Sequence, residues 1–206
     1  LDKAIATDPF NYFLHYAKAD AKITFRNISI QYYKDAQNAI KRADQLSPNR
    51  QQLLYVISKV KYLFGDISGS VKTLEQAVNL DPLSADPHYY YGLLRLNTDE
   101  PTVAGREFER AVELGYRPKD VTEAKQLGDY FADKSDYPLA LKFYQMAIDY
   151  MPTDVDAHLK KGLVHMFTGN TPAAKPYFEN VLLLLPDFKS RPSYEQFAPY
   201  FKAAGL

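Results

Sequence analysis

Few side chains in this chain could carry chemistry, and their spacing is unfavourable. There is no cysteine, which excludes disulfides, thiol nucleophiles, Cys-based zinc sites and iron–sulfur ligation. The four histidines are His15, His88, His158 and His165. His158 and His165 lie seven apart, on one helical face but ~10 Å apart along the axis, too far for adjacent metal ligands. Glu107 and Glu109 are two apart, so on a helix they point in different directions and read as solvated surface, not as an acid–base pair. No Gly-x-Gly-x-x-Gly and no Gly-Lys-Ser/Thr occurs, so no phosphate-cradling loop is expected. Asn27-Ile28-Ser29 matches a glycosylation triplet too short to carry weight. The residues therefore predict no catalytic, cofactor or metal site, and no enzyme activity of the chain by itself.

Composition points toward a contact surface. The 206 residues carry 25 basic and 25 acidic side chains, and 46% are apolar. That balance argues against a nucleic-acid partner, which calls for a strongly basic domain. The longest apolar run, Val181–Leu185, is far short of the ~20 residues that span a bilayer, so no membrane insertion is expected. The reading is a soluble segment, cytoplasmic or extracytoplasmic (periplasmic), with the compartment open. Neutrality hides an order. Residues 1–70 carry ten basic and six acidic groups, 81–156 eight and fifteen, and 157–206 six and three. Such an order can steer a charged partner or support head-to-tail self-association. There are 17 Tyr and 12 Phe but no Trp.

These side chains must be positioned by a repeated element. Pro48 and Pro82 are 34 apart, as are Pro152 and Pro186, while Pro82 and Pro152 are 70 apart. A small residue recurs at Ala36, Ser70, Ala104, Ala140 and Ala174. A larger one follows four later, at Ile40, Leu74, Phe108, Tyr144 and Phe178. Three further on come Ala43, Ala77, Ala111, Ala147 and Val181. Offsets of three and four put these on one helix face. Gly92, Gly128 and Gly162 each stand ten residues after a proline. Small residues let paired helices approach, larger ones fill the space between, and Pro with Asp ends one helix and starts the next.

This pattern resembles the tetratricopeptide repeat (TPR) family, with its Gly or small residue in a first helix and Ala-x3-aromatic-x2-Ala, then Pro, in a second. The resemblance covers about residues 1–186. It implies an all-α fold, a TPR-type α-α superhelix in which helical hairpins stack as a right-handed solenoid. Residues 1–206 are expected to form a single array. Residues 1–8 would end an earlier repeat, units would start near 12, 51, 85, 121 and 155, and residues 192–204 would form a capping helix. The incomplete opening suggests a fragment of a longer protein. His88 and His158 fall at the fourth position of their units, where a large aromatic packs. Lys161 falls where the family usually has Leu, and its stem is expected to snorkel past the core.

In the family, positions 2, 5, 9, 12 and 13 of each unit line a concave groove. Position 5 is Tyr16, Tyr55, Tyr89, Lys125 and Leu159. Lys59 and Leu93 occupy position 9, Tyr62 position 12, and Asn97, Asp133 and Phe167 position 13. The resemblance thus implies a Tyr-lined groove binding a peptide or partner protein through Tyr16, Tyr55, Lys59, Tyr62, Tyr89, Leu93, Asn97 and Lys125. Tyr offers broad rigid contact at modest entropic cost. A subclass that clamps a chaperone's C-terminal carboxylate uses Lys at 5 with Asn at 9. Here Lys125 is followed by Asp129 and Tyr55 by Lys59, so that role is not expected. Two alternatives stay open: a soluble regulatory or assembly tail of a membrane-bound, O-antigen ligase-like glycan-assembly enzyme, and a self-associating scaffold that forms a homo-oligomer.

Overall fold

The computed structural model describes residues 2–8, 11, 30–47 and 50–206. These are helical with no strand among the described residues. The chain divides into two compact units, Leu1–Tyr116 and Arg117–Leu206. The first holds α1 (Asp2–Thr7), α2 (Ile30–Leu46) and two hairpins, α3 (Gln51–Leu63) with α4 (Ile67–Leu80) and α5 (Ala85–Asn97) with α6 (Pro101–Glu113). The second holds α7 (Val121–Asp133) with α8 (Tyr137–Tyr150), then α9 (Val155–Phe167) with α10 (Thr171–Leu184), and ends in 3-10 turns and α11 (Ala198–Ala203).

Five helix starts carry a side-chain cap. Asp120 accepts hydrogen bonds from the Thr122 and Glu123 amides at the start of α7, and Asp154 accepts from Ala157 at the start of α9. Asp66, Asp136 and Asn170 cap α4, α8 and α10 in the same way. The residue before each second-helix cap is left-handed: Gly65, Asp99, Ser135 and Gly169 have φ between 59° and 81°. This turn reverses the chain within a few residues, and glycine adopts it without the steric cost borne by Asp99 and Ser135.

Hairpin packing follows the small-large pattern. Ala77, Ala104, Ala111, Ala140, Ala147 and Ala174 are all fully buried. A Cβ built on Gly92, Gly128 or Gly162 would meet the ring of Phe108, Tyr144 or Phe178 at 2.9, 2.6 or 2.5 Å, so only a bare Cα admits those aromatics. The α3–α4 hairpin solves the problem differently. There Ser58 replaces the glycine, Leu74 the aromatic and Ser70 the alanine, and the two buried hydroxyls bond at 2.8 Å. Between hairpins, Tyr91 and Leu94 of α5 pack on Leu74 of α4 in the first unit, while Ala124, Ala147 and Ala157 meet in the second.

Three sequence expectations need correction. Residues 192–204 do not form one helix: a 3-10 turn at Pro192–Tyr194 precedes α11. Pro199 lacks the amide proton that a helix running on from residue 192 would use, and the segment instead folds its rings inward. Phe201 stacks on Phe178 at 4.4 Å and contacts Phe188 at 5.6 Å. Burying a ring of that size stabilises by ~1.5–3 kcal/mol. Lys161 does not snorkel to solvent. It is 7% exposed, its ammonium bonded to Gln145 Oε1 and 4.7 Å from the Tyr177 ring centre. Glu107 is not simply solvated surface, because its carboxylate meets Nδ1 of buried His88 at 2.7 Å.

Candidate partner-binding faces

The first helices of successive hairpins carry the side chains that the repeat frame assigns to a groove. In the first unit, Tyr55, Lys59 and Tyr62 follow one another at i, i+4 and i+7 on α3, hence on one face. Tyr55 and Tyr62 are half-buried, resting on Leu74, Tyr91 and Leu94. Lys59 is exposed. On α5, Leu93 is half-buried, while Leu96 and Asn97 are exposed; Asn97 Nδ2 donates to the Leu93 carbonyl of its own helix at 2.9 Å.

Tyr89 does not join this face. It is fully buried, stacked on Tyr116 at 4.3 Å and 13° and leaning on Phe108 at 5.8 Å. The cause is local: after left-handed Gly115 the chain folds Tyr116 back against α5, and the two rings close over each other. Tyr16 lies outside the described residues. The partner of Tyr55 is instead Tyr90, with ring centres 4.8 Å apart and planes tilted by 42°. Each helical step turns a side chain by ~100°, so the run Tyr89-Tyr90-Tyr91 serves three environments. Tyr89 enters its own hairpin and Tyr90 meets Tyr55. The Tyr91 hydroxyl donates to Glu75 of α4 at 2.8 Å and accepts from Arg95 at 2.7 Å. Burial is the main reason the Tyr91 hydroxyl titrates above its ordinary range. The triple tyrosine was the available signal for Tyr90, but a row read at one repeat position passed over it.

Lys125 belongs to the second unit and to a different arrangement. Its ammonium lies 3.0 Å from Asp154 and 3.2 Å from Asp156. One turn on, Lys160 pairs with Asp129 at 2.9 Å and with Asp156 at 3.1 Å. The Tyr144 hydroxyl donates to Asp129 at 2.7 Å. The Lys125–Asp156 and Asp129–Lys160 pairs share one offset, so α7 and α9 run parallel in fixed register, zipped by alternating charge. Burial opposes the charge of both ammoniums, but their aspartate partners outweigh it and hold Lys125 and Lys160 above the usual lysine range. Asp154 lies below its usual range: burial raises it, but the Ala157 amide and Lys125 outweigh that.

Hydrogen bonds account for the histidines at the fourth repeat position. Nε2 of His88 donates to the Pro82 carbonyl at 3.1 Å, and Nε2 of His158 to that of Pro152 at 2.9 Å, each pinning the incoming loop to the helix. Among the described residues, no cluster of three or more His, Asp or Glu could hold a metal ion, and no helix is long and apolar enough to cross a membrane.

Comparison with solved structures decides the architecture. YrrB, described as a TPR protein with an unusual peptide-binding site, superposes with a TM-score of 0.57 at 19% identity, over 90% of this chain and 92% of that one. The fold is that of a tetratricopeptide-repeat protein. PilF of Pseudomonas aeruginosa matches the TPR chain with a TM-score of 0.70 at 18% identity, covering 96% of it and 86% of PilF. By sequence, 148 residues are 22% identical to protein O-mannosyl-transferase TMTC1 of Mus musculus, 70% of the TPR chain but 16% of that enzyme. The chain spans 18% of the human counterpart. No family model matches it.

Proposed function

We propose that the chain is a protein–protein interaction scaffold that binds a peptide or a partner's extended segment on the aromatic face of α3 and α5. The Tyr55–Tyr90 pair carries this reading: two half-buried rings from successive first helices, 4.8 Å apart, beside Tyr62 and Leu93. Paired rings with polar tips provide flat contact area whose conformational freedom is already spent. The peptide-binding site named for YrrB supports the reading as an analogy of fold.

Peptides selected from a displayed random library against the wild-type protein should bind Tyr55→Ala or Tyr90→Ala variants at least ~5-fold more weakly, the loss typical of an interface anchor. Both rings are only half-buried against the Leu74 cluster, so each variant should lose less stability than one that removes a fully buried ring and should remain folded at the assay temperature. Tyr89→Ala should behave oppositely, costing ~3–5 kcal/mol of stability as a buried ring is lost. Unchanged peptide affinity in the Tyr55→Ala, Tyr90→Ala double variant would refute the assignment.

The mannosyltransferase match favours a second reading, in which the scaffold is one module of a larger glycan-modifying enzyme. On that reading the module positions a partner or substrate protein, and the chemistry belongs to the rest of the enzyme. Co-purification of a glycosyltransferase domain on the same polypeptide would support it, and a full-length protein without one would end it.

A further inference from the structure

The polar layer between α8, α9 and α10 lacks the negative charge that its counterpart in the first unit holds. Helices α4, α5 and α6 start 70 residues before α8, α9 and α10, so the two layers can be matched residue for residue. In the first unit Arg95 pairs with Glu75 at 3.2 Å and with Glu100 at 2.5 Å, and His88 meets Glu107. In the second unit all three carboxylates are replaced by neutral side chains. Gln145 stands for Glu75, Asn170 for Glu100 and Tyr177 for Glu107. Basic side chains remain: His158 for His88, His165 for Arg95, and Lys161 where the first unit has Tyr91.

These three gather on one ring. His158, Lys161 and His165 lie at i, i+3 and i+7 of α9, hence on one face. They lie 6.2, 4.7 and 5.5 Å from the centre of the Tyr177 ring. Lys161 is buried, its hydrogen bond goes to neutral Gln145, and among the described residues no carboxylate pairs with it. Its charge reaches His165, which burial first and Lys161 second hold below the ordinary imidazole value. His158 is buried too, and its Nδ1 has no partner, while Nε2 is spent on Pro152. The other charges nearby are engaged elsewhere. Exposed Asp149 accepts from Gln145 Nε2 at 2.7 Å on the solvent side, and Lys142 sits 5.8 Å over the Phe143 ring. Lys175 faces Glu179 at 4.0 Å, and Asp154, Asp156 and Lys160 belong to the ladder with α7. A buried cation without a counter-charge is costly, so the layer is short of an anion.

We infer that this layer binds a small oxyanion of the sulfate or phosphate class, held by the Lys161 ammonium, by His165 and by Nδ1 of His158 once that nitrogen takes a proton. Charge-assisted donors converging without a carboxylate among them favour such an ion. The three residues stand at repeat positions 4, 7 and 11, none of which the repeat frame assigns to the concave groove. The oxyanion takes the electrostatic place that Glu75 holds in the first unit, and its binding ties the stability of the second unit to a ligand.

The test follows the imidazole nitrogens of the full chain by NMR while sodium sulfate replaces sodium chloride at fixed ionic strength. Sulfate should move the His158 and His165 signals saturably and leave those of His88, which already has Glu107, in place. Sulfate stays a dianion between pH 7.5 and 5.5, whereas His165 gains charge as pH falls, so binding should tighten on acidification. Lys161→Met should weaken it at least about tenfold, the loss of a charged hydrogen bond. Gln145→Glu combined with Asp149→Asn keeps the net charge and supplies the carboxylate from within. That variant should melt higher than wild type in the absence of sulfate and should no longer respond to it. Tyr55→Ala with Tyr90→Ala should bind sulfate as wild type does, whatever becomes of the tyrosine face. Phenyl phosphate compared with inorganic phosphate separates the two sources of the group: tighter binding assigns the site to a phosphoryl group carried on a larger ligand, and equal or weaker binding to the free ion. Absence of a sulfate-specific shift at His158 and His165 overturns the inference, as does an equal shift at His88, or unchanged sulfate affinity in Lys161→Met or in the Gln145→Glu, Asp149→Asn variant.

Discussion

Replacing Gly162 with Ala would put a methyl group 2.5 Å from Phe178 Cε1 and 2.8 Å from its Cδ1. The ring has nowhere to retreat, being fully buried and stacked on Phe201 at 4.4 Å. Overpacking of this kind costs ~1–3 kcal/mol. Against it stands the gain of ~1 kcal/mol when Ala replaces Gly within a helix. The net expectation is destabilisation by up to about 2 kcal/mol, lowering Tm by up to ~8 °C for a chain of this size. The α3–α4 hairpin points to the remedy, since Ser58 there tolerates a Cβ opposite Leu74. Phe178→Leu alone should cost ~1–2 kcal/mol through the space it leaves. Combined with Gly162→Ala it should cost at least ~1 kcal/mol less than the two changes added. Urea denaturation followed by circular dichroism on the four proteins completes the cycle. Additivity within ~0.5 kcal/mol would refute the steric account, as would a stabilised Gly162→Ala.

His165 is held below the ordinary imidazole value of 6.5 by burial first and by Lys161 second. Below that pH the unfolded chain binds the proton more readily than the folded one, so stability present at pH 7.5 should decline as pH falls through 6.5, and Lys161→Met should flatten the slope between pH 7.5 and 5.5. The depressed Asp154 carboxyl contributes stability that is lost only below its ordinary 3.8, so melting curves above pH 5 exclude it, and the difference in slope between wild type and Lys161→Met reads His165; an unchanged slope would refute the coupling. Ser135 has φ of 59°, and Ser135→Gly should raise stability by up to ~1 kcal/mol, relief of left-handed strain outweighing the added freedom of the unfolded chain. A lower Tm would show that the serine is held there by a compensating contact.

Much of the fold was legible because the strongest constraints repeat. A glycine facing an aromatic, an alanine at the crossing and an Asx cap recur at fixed spacing, and each has a steric or hydrogen-bonding cause that does not depend on distant parts of the chain. The misreadings fall where a long-range contact decides. Glu107 looked like any helix-surface acid until His88 was brought beside it, and Lys161 was out of place until Gln145 and Tyr177 closed around it. The tyrosine row could not be read residue by residue, because repeat position gives a side chain's angle on the helix and not its neighbours. Tyr90 meets Tyr55 while Tyr89 stacks on Tyr116 for that reason.

Tyr116 shows how such a face can be rewritten without altering it directly. It lies outside the helices, just past the glycine that ends α6, yet its ring fixes Tyr89 as interior. The presented set of side chains is therefore a property of connector length as well as of helix sequence. A two-residue gain or loss in such a connector is a single genetic event, far from any contact residue. Related arrays could change the side chains they present by that route while every helix codon stays the same. Specificity in this architecture can drift through its joints.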